Sequence, residues 1–186
     1  MAHAAPTIMS VDAFFAWQAG QDELYELADG RLVPRAMTGA TQRHDRVVTN
    51  AIAALGARLR GGPCWPMTAD IAVRTRVRSI RRPDLTVQCT PLEPDAVVAA
   101  EPVLILEVLS PSTERIDTIV KLDEYKALAS VRHILIAEPD TPHVLLYARD
   151  ASGVWSGLDH IGADTELELP AIGCTLPIAE LYAGLV

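Results

Sequence analysis

The spacing of apolar and polar positions divides the chain into helical and extended segments. Ser10 ahead of VDAFFAWQA and Gly20 behind it mark a short helix over 11–19, with Asp12 in its first turn. Two strand-like runs in LYELADGRLV (24–33) bracket Asp29-Gly30, a strong hairpin signal. Within 41–61, Val48, Ile52, Leu55 and Leu59 recur at helical spacing, and this helix ends before Gly61-Gly62-Pro63. Strands are expected at about 69–74 and 83–89, joined by an arginine-rich turn, RTRVRSIRR (74–82).

Segment 103–109 is apolar on both faces. Val103, Ile105 and Leu109 flank Glu107, while Leu104, Leu106 and Val108 point the other way, as in a central strand. STERIDTIVKLDEYKALA (112–129) opens with Ser/Thr caps and an early Glu, then carries Ile116, Ile119 and Val120 at helical spacing. VRHILIAEP (131–139) reads as a strand and HVLLYARD (143–150) as its hairpin partner. Strand, helix and strand over 103–138 predict a parallel, right-handed βαβ unit. The tail is mixed, with a strand-like ELELP and a short helix from about 177. The expected class is α/β or α+β around a mixed sheet, in one domain spanning 1–186.

Composition narrows the class of partner. The chain has 186 residues, 49% of them hydrophobic and 22% charged, which suits a soluble domain with a full core. With only two Phe residues, that core must come from Leu, Val, Ile and Ala. A formal net charge of −8 argues against a protein that coats nucleic acid by bulk electrostatics, but leaves room for a local basic groove. The three cysteines, Cys64, Cys89 and Cys174, indicate neither a disulfide framework nor a zinc site, and each is expected as a small buried hydrophobe. No secretory signal and no bilayer-spanning run is visible, so a reducing cytoplasm and no membrane partner are expected. The apolar content and the hairpins permit a symmetric homodimer.

Two carboxylates stand out by their neighbours. Asp84 follows Pro83 at the mouth of an apolar strand, and Glu107 sits inside another. An unpaired buried carboxylate costs several kcal/mol, so each needs a cation, backbone donors or a metal ion. Read alone, Asp84 could be a strand-end residue paired with Arg82, and Glu107 a member of a buried ion pair. Asp70, in TADIAV, gives little reason to be singled out.

YELADGRLV, TGATQRHDRV, RRPDLTV, LILEVLSPST followed by KLDEY, and LPIAELY occur in order at compatible spacing. In these segments the chain resembles the Uma-type restriction-endonuclease-like family, a branch of the PD-(D/E)XK nuclease-like superfamily. The resemblance runs from about residue 11 to residue 183. It implies a restriction-endonuclease-like core: a helix precedes a bent antiparallel sheet, and a second helix crosses over to a further strand. It also implies that Asp84 and Glu107 converge on Mg²⁺ or Mn²⁺, ions that favour hard oxygen ligands and keep several waters.

The superfamily's usual lysine, two residues after the glutamate, is replaced here by Leu109. Lys121 in VKLDEY matches the place to which this family moves it. The plain alternative is a surface pair of Lys121 with Asp117 or Tyr125. Glu26 and His44 also match family positions. Glu26 would be an extra metal ligand or a carboxylate behind the site, against an exposed hairpin residue. His44 would touch the scissile phosphate or the metal's water, against a hydrogen-bonded core histidine. Ser110, Pro111 and Ser112 would end the strand and cap the helix. Arg74, Arg76, Arg78, Arg81 and Arg82 form a basic cluster that could contact a DNA backbone, or be a solvated hairpin tip. The implied activity is metal-dependent DNA cleavage. The rivals are a non-catalytic nucleic-acid- or protein-interaction protein that retains the scaffold, and a hydrolase of another phosphate-containing substrate.

Overall fold

The computed structural model describes residues 8–35, 41–110 and 115–185. In chain order these form α1 (Val11–Gln18), β1 (Tyr25–Ala28), β2 (Arg31–Pro34), α2 (Gln42–Arg58), β3 (Trp65–Thr68), β4 (Val73–Arg76), β5 (Ser79–Arg81) and β6 (Leu85–Gln88). There follow β7 (Pro102–Val108), α3 (Arg115–Lys126), β8 (His133–Ala137), β9 (His143–Arg149), β10 (Trp155–Ile161), β11 (Glu166–Leu169), β12 (Cys174–Pro177) and α4 (Ile178–Leu181).

The helix signals read from the sequence act as physical caps. Ser10 accepts from the Ala13 N–H and Thr41 from the His44 N–H, each satisfying a donor that the first helical turn leaves orphaned. Asp29 and Gly30 both take positive φ, 48° and 84°, the backbone that a tight β1–β2 turn demands. The Pro111–Ser112 cap and the Ile116 side chain lie outside the described residues and side chains.

The main sheet has six strands in the order β10-β9-β8-β7-β6-β3. Only β7 and β8 run parallel, with α3 between them, as the βαβ pattern predicts. A four-stranded sheet, β2-β1-β5-β4, stands beside it, and β11-β12 form a small ribbon.

The two faces of β7 bury against different helices. Leu104, Leu106 and Val108 join the core under α2, together with Val47, Ala51, Leu55 and the ribbon residues Leu167, Leu169 and Leu176. Ile105 turns the other way, into a cluster with Tyr125, Ile134 and Ile136 under α3. Val103 is the exception to the expected alternation, because it packs on the α2 side. A third cluster, Val11, Phe14, Leu27, Ala72 and Ile80, holds α1 against the four-stranded sheet.

Four expectations need correction. The buried stripe of α2 is centred on Val47, Ala51, Ala54 and Leu55, so Val48 and Ile52 lie at its border. The expected strand at 69–74 is instead two, β3 before it and β4 at its end, with a turn between. The arginine-rich segment is itself a β-hairpin, β4–β5, which continues the β1–β2 sheet. Cys64 and Cys89 form a disulfide, with their Cα atoms 3.9 Å apart next to the Trp65–Gln88 pair of β3 and β6. Neither cysteine had a partner in the sequence reading, because strand register brings together residues 25 apart. Among the described residues, no helix is long and apolar enough to cross a membrane.

Candidate active site

Antiparallel register sets the two strand-borne carboxylates at one end of the sheet. Leu85 pairs with Leu106, so Asp84, just before β6, and Glu107, on β7, follow at the same end of the two strands. The Val108 N–H, which the β6 ladder no longer uses, donates to Asp84 Oδ2 at 2.8 Å. A guanidinium and an imidazole also face Asp84. Arg35 Nη2 lies 2.8 Å from Oδ1, and His44 Nε2 lies 3.4 Å from Oδ2. Arg82, the partner suggested by sequence adjacency, instead donates to the carbonyls of Tyr25, Ala69 and Asp70.

Burial alone would raise the Asp84 pKa. The His44 hydrogen bond, the Val108 N–H and the charges of His44 and Arg35 outweigh it and hold the carboxyl below its ordinary range. Reciprocally, the hydrogen bond to Asp84 raises His44 despite its burial.

Glu107 behaves in the opposite sense. Its side chain is only 15% exposed, and burial, joined by the negative charges of Asp84 and Glu26, overrides the Lys121 ammonium and lifts its pKa to about 7. Tyr125 donates to Glu107 Oε1 at 2.7 Å. Lys121 Nζ stands 3.1 Å from Glu26 Oε1 and 4.0 Å from Glu107 Oε1, so its ammonium meets these two carboxylates, while the Asp117 side chain of the alternative pair lies outside the described side chains.

Because folded Glu107 keeps a proton that the unfolded chain releases near 4.5, native protein binds more protons between pH 4.5 and about 7. Stability supplied by this group therefore falls as pH rises across that window, by up to about 3 kcal/mol. In chelator-containing buffer, Glu107→Gln should remove that slope. Thermal midpoints of the two proteins would then diverge towards pH 7, and parallel curves would refute the assignment.

Glu26 is buried rather than an exposed hairpin residue. On β1, Leu27 faces α1, so Glu26 faces the opposite side. Its Oε1 accepts from the Arg82 N–H at 3.0 Å and from Lys121, and its Oε2 from Arg81 Nη1 at 3.1 Å. Burial would raise its pKa, but Lys121, the Arg82 N–H and Arg81 together lower it. Arg81 also makes a two-point contact with Glu124, Nε to Oε2 at 2.8 Å and Nη2 to Oε1 at 2.9 Å, and Thr75 donates to Glu124 Oε2 at 2.6 Å.

The basic cluster therefore splits. Arg74, Arg76 and Arg78 are exposed on the β4–β5 hairpin, whereas Arg81 and Arg82 are 2% and 4% exposed and work inside the protein. Asp70 lies in the turn before β4 and contributes its carbonyl to Arg82.

The structure thus brings together Glu26 of β1, His44 of α2, Asp84 just before β6, Glu107 of β7 and Lys121 of α3. It adds Arg35, Glu124 and Tyr125, which the expectations from sequence do not assign to the site, and it places Arg81, expected as a DNA contact, between Glu26 and Glu124. For Glu124 and Tyr125 a signal existed, since both follow Lys121 at one-turn spacing in KLDEY. Arg35 carried none.

Comparison with known proteins gives the family and the fold. The family model described as "Uma2: Putative restriction endonuclease" matches residues 11–179. The chain belongs to the Uma2 family. An uncharacterized protein of Synechocystis sp. is 27% identical to this Uma2 chain over 179 residues, covering 95% of the chain and 93% of the relative. The crystal structure of a "putative nuclease belonging to DUF820" from Anabaena variabilis superposes with a TM-score of 0.76 at 16% identity. That match covers 96% of this chain and 99% of the other. The Uma2 chain therefore has a restriction-endonuclease-like fold, of the mixed α and β class expected from its sequence.

Donor chemistry decides whether a divalent ion suits the site. Among the described residues no three His, Cys, Asp or Glu side chains form a ready-made metal cage. Mg²⁺ does not need one, since it is commonly bound by one or two carboxylates, waters and substrate phosphate. Asp84 and Glu107 supply such oxygens. Burial, together with the charges of Asp84 and Glu26, raises the Glu107 pKa, and a divalent cation between Glu107 and Asp84 would favour the ionised carboxylate.

Proposed function

We propose that this Uma2 chain is a metal-dependent DNA endonuclease that hydrolyses phosphodiester bonds. Family membership and a nuclease-like fold support nuclease action. The observation that carries the finer reading is the proximity of the Lys121 ammonium to Glu107 at the sheet end shared with Asp84. Asp84 and Glu107 would hold Mg²⁺ or Mn²⁺. Bound there, the ion supplies Lewis acidity to a phosphodiester oxygen and to water.

The chain's own groups account for the rest of the mechanism. Asp84 is fixed by the Val108 N–H and kept ionised by His44 and Arg35. Tyr125 fixes one oxygen of Glu107. Lys121, held by Glu26, orients the attacking water and offsets the negative charge that grows on the phosphoryl oxygens. The water oxygen bonds to phosphorus as the leaving-group P–O bond breaks, the water's proton passing to solvent and the departing oxygen taking one up from it. His44 stands beside Asp84, within reach of a phosphate or a water at that carboxylate. The exposed Arg74, Arg76 and Arg78 offer backbone contacts that position DNA without reading its sequence.

Nicking of supercoiled plasmid tests the reading. Wild-type protein should nick with Mg²⁺ or Mn²⁺ and not with chelator. Lys121→Met should cleave about 100-fold or more slowly while binding Mn²⁺ as wild type does. Metal binding without nicking would favour the interaction-protein rival.

A further inference from the structure

Asp84 carries two side-chain partners, a guanidinium and an imidazole, whose places in the fold differ. His44 is held in the first turn of α2, with Thr41 capping its N–H. Arg35 lies at the open end of the β1–β2 hairpin, where its N–H donates to the Leu24 carbonyl at 3.0 Å. Its side chain extends to Asp84 Oδ1 and remains 21% exposed. Since the Val108 N–H already fixes Oδ2, Oδ1 is the Asp84 oxygen whose described hydrogen bond comes from a side-chain guanidinium rather than from backbone. A divalent cation on Asp84 would meet this guanidinium as a like charge. A guanidinium released there has the planar fork that matches phosphate oxygens.

We infer that Arg35 occupies the cation's place on Asp84 and, once displaced by a divalent ion, turns its guanidinium to a substrate phosphate. The inference rests on the nuclease reading, in which Asp84 holds the ion. It makes Arg35 a substrate-binding residue, and it makes metal and arginine competitors for one carboxylate oxygen. DNA that draws the guanidinium away from Asp84 then favours metal binding, and metal that expels it favours DNA.

Calorimetric titration of Mn²⁺ into wild type, Arg35→Gln and Arg43→Gln separates the possibilities. Arg43 is a matched charge control: half exposed at the start of α2, with its ion pair at 3.9 Å to Asp140 rather than to Asp84. Arg35→Gln should bind Mn²⁺ about tenfold more tightly, because a charge-assisted competitor is gone, while Arg43→Gln should match wild type. With Ca²⁺ present, the salt dependence of binding to a short DNA duplex should lose about one phosphate contact in Arg35→Gln.

Unchanged or weaker Mn²⁺ affinity in Arg35→Gln, with wild type binding normally, would overturn the inference and leave the nuclease reading intact. Equal tightening in Arg43→Gln would also overturn it, as would an unchanged salt slope. No Mn²⁺ binding by any of the three proteins would remove the nuclease reading together with it. If Arg35→Gln fails to fold by circular dichroism, Arg35→Lys, which keeps the charge but loses the fork, should show a smaller tightening. Wild-type affinity in that folded variant would count against the inference.

Discussion

Asp84→Asn should abolish saturable Mn²⁺ binding and lower plasmid nicking by more than about a thousandfold, the upper end for loss of a single electrostatic contact at a reacting centre. The expectation follows from what asparagine keeps and what it loses. Its carbonyl oxygen can still accept from the Val108 N–H, so the junction of β6 and β7 is retained. It has no charge for a divalent cation, for Arg35 or for His44. The largest influence raising the His44 pKa is its hydrogen bond to Asp84, so the histidine should titrate lower in the variant. That shift can be followed by NMR in metal-free protein, independently of activity. A folded variant that binds Mn²⁺ normally would remove Asp84 from the site. Lost nicking with His44 titration unchanged would point to distortion rather than to a missing ligand.

Arg81→Met carries the largest expected stability effect. The guanidinium bridges Glu26 and Glu124, whose side chains are 4% and 1% exposed, and it is itself 3% exposed. Burial opposes its charge, but hydrogen bonding to Glu124 and the charges of both glutamates outweigh burial and raise its pKa. Removing one member leaves buried carboxylates without their main partner, a loss of about 3–5 kcal/mol. For a chain of this length, that corresponds to a fall of roughly 10 °C in the thermal midpoint. The double change Arg81→Met with Glu124→Leu should recover part of the loss, because it removes an orphaned charge and restores apolar packing. A single-variant midpoint within about 2 °C of wild type would show that the network contributes little. Arg81 also ties α3, which carries Lys121, to the sheet that carries Glu26, so cleavage should weaken even at temperatures where the variant stays folded.

Local chemistry made much of this legible. The Ser10 cap, the Asp29-Gly30 turn and the two-faced run of β7 each follow from neighbours a few residues apart, and the structure realises all three. Edge strand β10 went unread, because its exposed Leu158 and Ile161 give no clean alternation of buried and solvated positions. The segment 74–82 looked like a turn because five arginines suggest solvent. The burial of Arg81 within it is compensated by carboxylates 43 and 55 residues distant, which no local pattern reveals. Arg35 and Asp84 meet across 49 residues, and Cys64 meets Cys89 across 25. Carboxylates inside apolar strands announce themselves by their cost; the cations that answer them are chosen by the fold.

The Cys64–Cys89 bond gives the chain a covalent ring. Within that ring lie β3, the whole β4–β5 hairpin with its three exposed arginines, Arg81 and Arg82, and Asp84. Glu26, Glu107 and Lys121 lie outside it. When the rest of the protein unravels, the hairpin and Asp84 stay tethered to a common anchor. In the chain-entropy account, such a tether reduces the disorder gained on unfolding by about 3–4 kcal/mol. Asp84 and Arg81 are thus held in a closed lasso, and reassembly requires Glu26, Glu107 and Lys121 to find partners that are already tethered.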